Sequence, residues 1–274
     1  MLIDFEDKFS EFLTEYKRSN AIDDEELEEK APNFYLEWLN TPKDWLSGMS
    51  PNSYFKAFDV AKLIEIFGKY MLSNITLPGV LLNNITDKKE QTYPLLLSLL
   101  KNYEGEKSDE IKTVIVRLFG EMDMPHPYRH YINIIAESNE ISTFSEACAQ
   151  ELKNSGAEQL ENVIAAYEAA DNSYPSDCFL DILTDLPYDE RTYNFALEKF
   201  LYSGNKKAFY ASCLGKIGND KALPYLEEAL KSEDIAYFDY MSIKNALEEL
   251  GGEVNIDRDF TGDKDYDSLI NMGE

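Results

Sequence analysis

Basic residues are scarce in this 274-residue chain, with 26 Lys and Arg against 52 Asp and Glu and a net charge of -26. That balance disfavours nucleic acid or an anionic membrane as the partner, because holding phosphate requires clustered cations. Histidine is scarcer still: His126 and His130 are the only two. The three cysteines, Cys148, Cys178 and Cys213, are far apart and show no CxxC spacing, which argues against a disulfide framework and a zinc site. Long apolar runs are missing as well; the best stretch, Pro94 to Leu100, falls far short of the ~18 residues of a membrane span. The N-terminal residues show neither a basic n-region nor an apolar h-region, so no signal peptide is expected and the expected location is cytoplasmic. No G-x-S-x-G elbow, H-E-x-x-H pair or phosphate-cradling glycine loop occurs. The sequence therefore assigns no catalytic residue, no metal site and no cofactor.

Helical periodicity, by contrast, is nearly everywhere. Phe5, Phe9, Phe12, Leu13 and Tyr16 share one face at helical spacing. The acidic run from Asp23 to Glu29, ending before Pro32, suggests a solvated linker or helix end. Thr41-Pro42 and Ser50-Pro51 each place a capping hydroxyl before a proline, predicting two short helix starts with Gly48 closing the piece between them. Val60, Leu63, Ile64, Phe67 and Met71 mark a longer buried helix. No period-2 alternation of any length occurs, so no sheet is predicted.

From about residue 75 the apolar pattern repeats. Ile85, Phe119, Leu152, Leu186, Ile217 and Leu250 each stand where one helix ends before a polar turn and a second helix, at successive spacings of 34, 33, 34, 31 and 33 residues. Gly120, Gly218 and Gly251 directly follow three of these anchors, where a helix stops most easily in the left-handed region. A period near 33 with two helices per unit is the mark of a solenoid, whose units cannot bury their apolar faces alone.

The clearest unit runs Ala211-Ser-Cys-Leu-Gly-Lys-Ile-Gly-Asn-Asp-Lys-Ala-Leu-Pro-Tyr-Leu-Glu-Glu-Ala-Leu230. It resembles the short HEAT-like repeat first named from phycobiliprotein lyases, with its A-x-x-L-G-x-I-G-D-x-x-A-L-x-x-L-x-x-A-L pattern. Ala246, Leu247, Leu250 and Gly251 are similar to the first helix of a further unit. The match covers about residues 205–252; upstream only spacing and apolar pattern persist, and residues 1–75 do not share it. The resemblance implies a right-handed α-solenoid of about five helix pairs whose second helices line a concave surface used for binding proteins. The arginine common early in the family's first helix is replaced here by Lys207 and Tyr240, so lyase activity does not carry over. The expected organisation is a distinct helical N-terminal region over 1–74, the solenoid over 75–252 and an acidic, mobile tail over 253–274.

Several candidate sites follow. His126 and His130 stand at i, i+4, a spacing that can hold a metal on a helix, but Pro127 predicts a helix start that leaves His126 at the cap, and no third ligand is evident. Asp257, Asp259 and Thr261, followed by Gly262, imitate the first half of a calcium loop. Lys264 at its eighth position and Ser268 in place of the bidentate glutamate break the imitation. A surface remains: Glu158 and Glu161, then Asp189, Glu190 and Tyr193, then Tyr225, Glu227 and Glu228, expected to stack across successive second helices as an acidic strip with tyrosines. Carboxylates steer basic partners and tyrosine supplies contact area. The expected function is a non-catalytic scaffold or adaptor that binds a basic protein or peptide. The alternatives are an immunity- or inhibitor-type protein that neutralises a basic toxin or nuclease, and an enzyme or enzyme subunit, lyase-like or metal-dependent.

Overall fold

Phe5 opens the first helix and also anchors the first core. In the computed structural model, which describes residues 2–20, 22–202, 204, 206–254 and 258–272, the regular elements are all helices, and no strand occurs among the described residues. The chain divides into two compact units: residues 1–127 with 142–147, and residues 128–141 with 148–274.

The first unit begins with α1 (Phe5–Asn20), α2 (Asp24–Asn40) and the single turn α3 (Pro51–Tyr54). The Phe5 ring meets Trp38 at 6.5 Å and Phe55 at 5.6 Å, and Phe9 meets Tyr35 at 4.9 Å and Trp38 at 5.4 Å. Aromatic pairs at such separations add roughly 0.5–1.5 kcal/mol each beyond area burial. The amphipathic face expected for α1 is the one that packs here. The acidic run is not a linker: Asp23 accepts from the Glu26 N–H at 2.9 Å, and Asp24, Glu25 and Glu26 form the first turn of α2. Negative charge is favoured there by the helix dipole, which offsets its mutual repulsion. Pro32 lies exposed inside the same helix, its missing N–H leaving the free carbonyl to solvent. Ser50 starts α3 as expected, with Ser53 completing a capping box. Thr41 instead ends α2, its hydroxyl donating to the Glu37 carbonyl at 2.8 Å, so Thr41-Pro42 begins no helix.

Next come α4 (Val60–Met71), α5 (Gly79–Asp87), α6 (Lys89–Asn102) and α7 (Ser108–Met122). Asp59 caps α4, accepting from the Lys62 N–H at 2.8 Å, and Leu63 and Phe67 are fully buried. Helix α4 packs against α5, α6 and α7, and α7 packs against both α5 and α6. The Tyr70 hydroxyl donates to the Ile3 carbonyl at 2.7 Å, and burial pushes its pKa up to about 12. Gly120 does not stop α7. The helix runs on to bury Met122 and ends at Asp123, which adopts the left-handed conformation with φ of 51°.

The second unit contains α8 (Tyr128–Glu137), the end of α9 (Thr143–Lys153), α10 (Leu160–Glu168), α11 (Ser173–Asp185), α12 (Glu190–Tyr202), α13 (Lys207–Ile217), α14 (Leu223–Leu230), α15 (Tyr237–Glu249) and α16 (Lys264–Met272). Here α13 packs against α11, α12 and α15, and α14 packs against α15. Leu180, Phe200, Leu214, Leu226, Ile243 and Leu247 form one continuous buried cluster. Each such side chain contributes on the order of 1.5–3 kcal/mol of transfer free energy. Gly218 ends α13 with φ of 73°, and Gly251 follows α15 with φ of 82°, as expected for left-handed stops. The repeat anchors all fall at helix ends: Ile85 in α5, Phe119 in α7, Leu152 in α9 and Ile217 in α13, with Leu186 and Leu250 capping α11 and α15.

Residues 258–272, expected as a mobile acidic tail, hold a turn and helix α16. Phe260 packs on Tyr240 at 5.0 Å and Tyr237 at 5.2 Å, and the Asp263 carboxylate accepts from the Tyr237 N–H at 3.2 Å. Apolar anchoring of this kind is invisible in a composition dominated by aspartate. Among the described residues no helix is long and apolar enough to cross a membrane.

Candidate functional site

Helices α10, α12 and α14 begin the site. Glu161 lies in the first turn of α10, Asp189 and Glu190 at the start of α12, and Lys221 just before α14. Asp189 accepts from the Arg191 backbone N–H at 2.8 Å, satisfying a donor that the helix leaves open. The Arg191 guanidinium then folds back on Asp189, with Nε at 2.9 Å and Nη2 at 2.9 Å, and reaches Glu161 at 3.1 Å and 2.6 Å. These bonds hold the Asp189 and Glu161 carboxyls below the usual carboxylate range. One step along, Glu190 accepts from the Tyr188 hydroxyl at 2.7 Å and from Lys221 at 3.0 Å, and the Asn219 amide donates to Tyr188 at 2.8 Å.

Most carboxylates of the expected acidic strip are matched by the chain's own cations. Glu161 and Asp189 share Arg191, Glu190 holds Lys221, and Glu228 pairs with Lys231 at 2.9 Å. Glu158 and Glu227 are exposed. The two tyrosines of the strip part company. Tyr225 is 42% exposed, whereas Tyr193 is 4% exposed and belongs to the core cluster. Tyr193 offers no surface because it lies on the apolar face of α12 with Ala196 and Phe200, at helical spacing. The exposed ring at this place is Tyr188, at 56%.

A second polar constellation, absent from the sequence analysis, lies along α11. Asp177, Asp181 and Asp185 stand four residues apart and so share one face. Asp177 accepts from the Tyr210 hydroxyl at 2.7 Å and from Lys206. Asp181 takes Lys216 at 3.1 Å and also Lys153, which bridges to Asp185 at 3.1 Å. Burial alone would raise the Asp181 carboxyl, but the bonds from Lys153 and Lys216 outweigh it and lower its pKa. The same bonds outweigh burial for Lys153 and raise its pKa. Beside this row opens a polar cleft of about 360 Å³ lined by Gln150, Lys153, Asn154, Asp185 and Lys216. The i, i+4, i+8 spacing of the aspartates was the available signal; their cations sit in other helices, and pattern along the chain does not pair them.

The Cys178 and Cys213 thiols are pushed up to about 12, by burial first and then by the Asp181 charge, which suits inert side chains better than nucleophiles. The His126 ring packs edge-on to Phe119 at 6.3 Å, and burial lowers its pKa. In the calcium-like segment Asp257 lies outside the described residues. Asp259 accepts from Thr261, and Asp263 accepts from the N–H groups of Asp265 and Tyr266, so these carboxylates shape the turn into α16. Among the described residues no three or more His, Cys, Asp or Glu side chains gather as a metal site would require.

Comparison of the chain with protein families, with curated proteins and with solved structures gives no match.

Proposed function

We propose that the chain is a HEAT-like repeat solenoid that acts as a non-catalytic interaction module, binding a basic protein or peptide on the edge formed by α10, α12 and α14. The observation that supports the architecture is a forward offset that recurs between 30 and 35 residues. Glu161 bonds Arg191 30 residues on, Tyr188 bonds Asn219 31 on, and Glu190 bonds Lys221 31 on. Asp177 to Tyr210 and Asp181 to Lys216 repeat it at 33 and 35 residues. Antiparallel neighbours would keep the sum of paired positions constant; a recurring forward difference supports the reading in which equivalent helices follow one another in parallel, one repeat apart, as they would in a solenoid. The binding reading rests on what these helices expose: the rings of Tyr188 and Tyr225 and the carboxylates of Glu158 and Glu227, on a chain of net charge -26. Aromatic area with surrounding carboxylates favours Lys- and Arg-bearing segments, and the net charge speeds their approach.

The test is capture from the native lysate at low and high salt, with wild type and with a Glu158→Lys/Tyr225→Ala/Glu227→Lys variant that leaves the Arg191 and Lys221 pairs in place. A basic protein retained by wild type, lost from the variant and released by salt supports the module. Equal capture by both proteins counts against this edge.

A further inference from the structure

The α1–α2 hairpin of the first unit is an incomplete layer. Its helices run antiparallel, with Phe9 against Tyr35 at 4.9 Å and Tyr16 against Phe34 at 4.4 Å, while Phe5 meets Trp38. Helix α1 packs chiefly on α2, and α2 on α1 and α3. Together the two helices bury only Phe5, Trp38 and Leu39, at the end where the Phe5 ring also meets Tyr54 of α3. Beyond that end Phe9, Phe12, Leu13, Tyr16, Leu27 and Phe34 stay half-buried. An apolar stripe with a single neighbour needs another element to complete its burial.

Charge decides which kind of element fits. The cations of the hairpin, Lys8, Lys17, Arg18 and Lys30, pair with Glu11, Asp24, Glu15 and Glu26 of the same hairpin. Glu6, Asp7, Glu25, Glu28, Glu29 and Glu37 are exposed and form no ion pair among the described residues. Glu6 stands seven residues before Leu13, and Glu28 seven before Tyr35, so each carboxylate shares a helix row with an apolar side chain. The Tyr35 hydroxyl has its pKa raised by burial first and then by the Glu6 charge, which puts the two rows on one flank. Elsewhere on the same seam a cation is already held by rings. The Lys43 ammonium lies over Phe12 at 5.5 Å and over Trp38 at 5.3 Å.

We propose that the flank formed by Glu6, Leu13, Glu28 and Tyr35 docks a basic amphipathic helix of a partner protein. The incoming helix lies along α1 and α2 as a third helix, with its apolar side on Leu13 and Tyr35 and its Lys or Arg side chains on Glu6 and Glu28. A second copy of this chain fits worse, because it would set the same unpaired carboxylates against these. The surface belongs to the first unit and shares no residue with the α10, α12 and α14 edge, so either can fail without the other.

The probe, on the full chain, is a fluorescein-labelled peptide as long as α1, built of Leu and Lys with Leu at i, i+3, i+4 and i+7. The same residues in scrambled order and a Leu/Glu peptide are the controls. Anisotropy should show saturable binding of the amphipathic peptide that salt weakens, with the scrambled peptide about tenfold weaker and the Leu/Glu peptide unbound. Leu13→Lys, which removes no ring contact, and Glu6→Gln/Glu28→Gln should each weaken binding about tenfold. The Glu158→Lys/Tyr225→Ala/Glu227→Lys variant should bind as wild type does.

Equal binding of the scrambled peptide would reduce the contact to net charge and overturn the proposal. So would an unchanged affinity in Leu13→Lys, or loss of binding in the Glu158/Tyr225/Glu227 variant alone, which would move the helix to that edge. Sedimentation of the free chain should show a monomer; a dimer that Leu13→Lys dissociates would give the flank to a second copy and sink the proposal as well. Should Leu13→Lys fail to fold, Glu6→Gln/Glu28→Gln decides, since both side chains are exposed.

Discussion

Arg191 closes on Glu161 with both terminal nitrogens, at 3.1 Å from Nη1 to one carboxylate oxygen and 2.6 Å from Nη2 to the other. The same guanidinium returns to Asp189, two residues before it, so one side chain ties the start of α12 to the start of α10. Its bonds to Asp189 and Glu161 raise its pKa further above the ordinary arginine value. A fork that satisfies two carboxylates at once gives geometry that lysine, a point charge, does not reproduce. The edge is a set of ion pairs between α10, α12 and the start of α14, and the binding role proposed for it is separable from those pairs by mutation.

Glu161→Gln and Arg191→Gln should each lower the unfolding temperature, and the double substitution should lower it by less than the two effects combined. Exposed pairs weaken as salt shortens the Debye length to roughly 3 Å at 1 M. The non-additivity, measured by a thermal double-mutant cycle at low salt, should therefore shrink at 1 M. A cycle that stays additive at low salt would mean that the bidentate contact is not populated in solution.

Gly215 and Gly68 should respond oppositely to alanine. A Cβ on Gly215 would stand 3.0 Å from the Ala246 Cα and 3.2 Å from its Cβ, across the contact of α13 with α15. Gly215→Ala should cost about 1–3 kcal/mol through overpacking. At Gly68, inside α4, the added Cβ meets nothing within 4 Å, and Gly68→Ala should stabilise by roughly 0.5–1 kcal/mol. Chemical denaturation of the two variants checks both signs.

Acid should remove the contribution of Asp181. Its lowered carboxyl pKa means that the stabilisation is complete above the ordinary carboxylate value of about 4 and is lost as the pH falls through the lower folded value. Asp181→Asn should cost about 1–2 kcal/mol at pH 7, a discounted figure because the side chain is 32% exposed. The gap between wild type and variant, followed by denaturation from pH 7 to pH 2, should narrow as Asp181 takes up its proton. A constant gap would show that the substitution acts through packing and not through charge.

Cys178 and Cys213 should resist thiol reagents at pH 8, since burial and the Asp181 charge put both thiols near 12 and leave almost no thiolate. Labelling of these two positions, mapped by mass spectrometry, should become stoichiometric only after denaturation. Prompt reaction of Cys213 in the native protein would show that the α11–α13 contact opens readily.

Much of this could be read from residue order because helical apolar periodicity is local. The faces of α1 and α4, the anchors from Ile85 to Leu250 and the stops at Gly218 and Gly251 each depend on residues a turn or so apart. Local rules failed where a distant contact competed with them. Gly120 continues in α7 because Met122 has a buried place to occupy, and Thr41 caps the end of one helix instead of opening another. The acidic strip was legible as composition, but its state was not: charge counting along the chain cannot show that Arg191 and Lys221 cross from neighbouring hairpins to meet it.

By itself, the sequence determined the helical class, the period of about 33 residues and the strong negative charge, all of which follow from residue type and spacing. Only the tertiary structure decided which carboxylates are neutralised, that Tyr193 is core while Tyr188 is surface, and that Phe260 docks the C-terminal segment on α15. The physical reason is that a helix face is set within a few residues, whereas ion pairs and cavities depend on which helices lie side by side, and that is settled by packing across the whole unit.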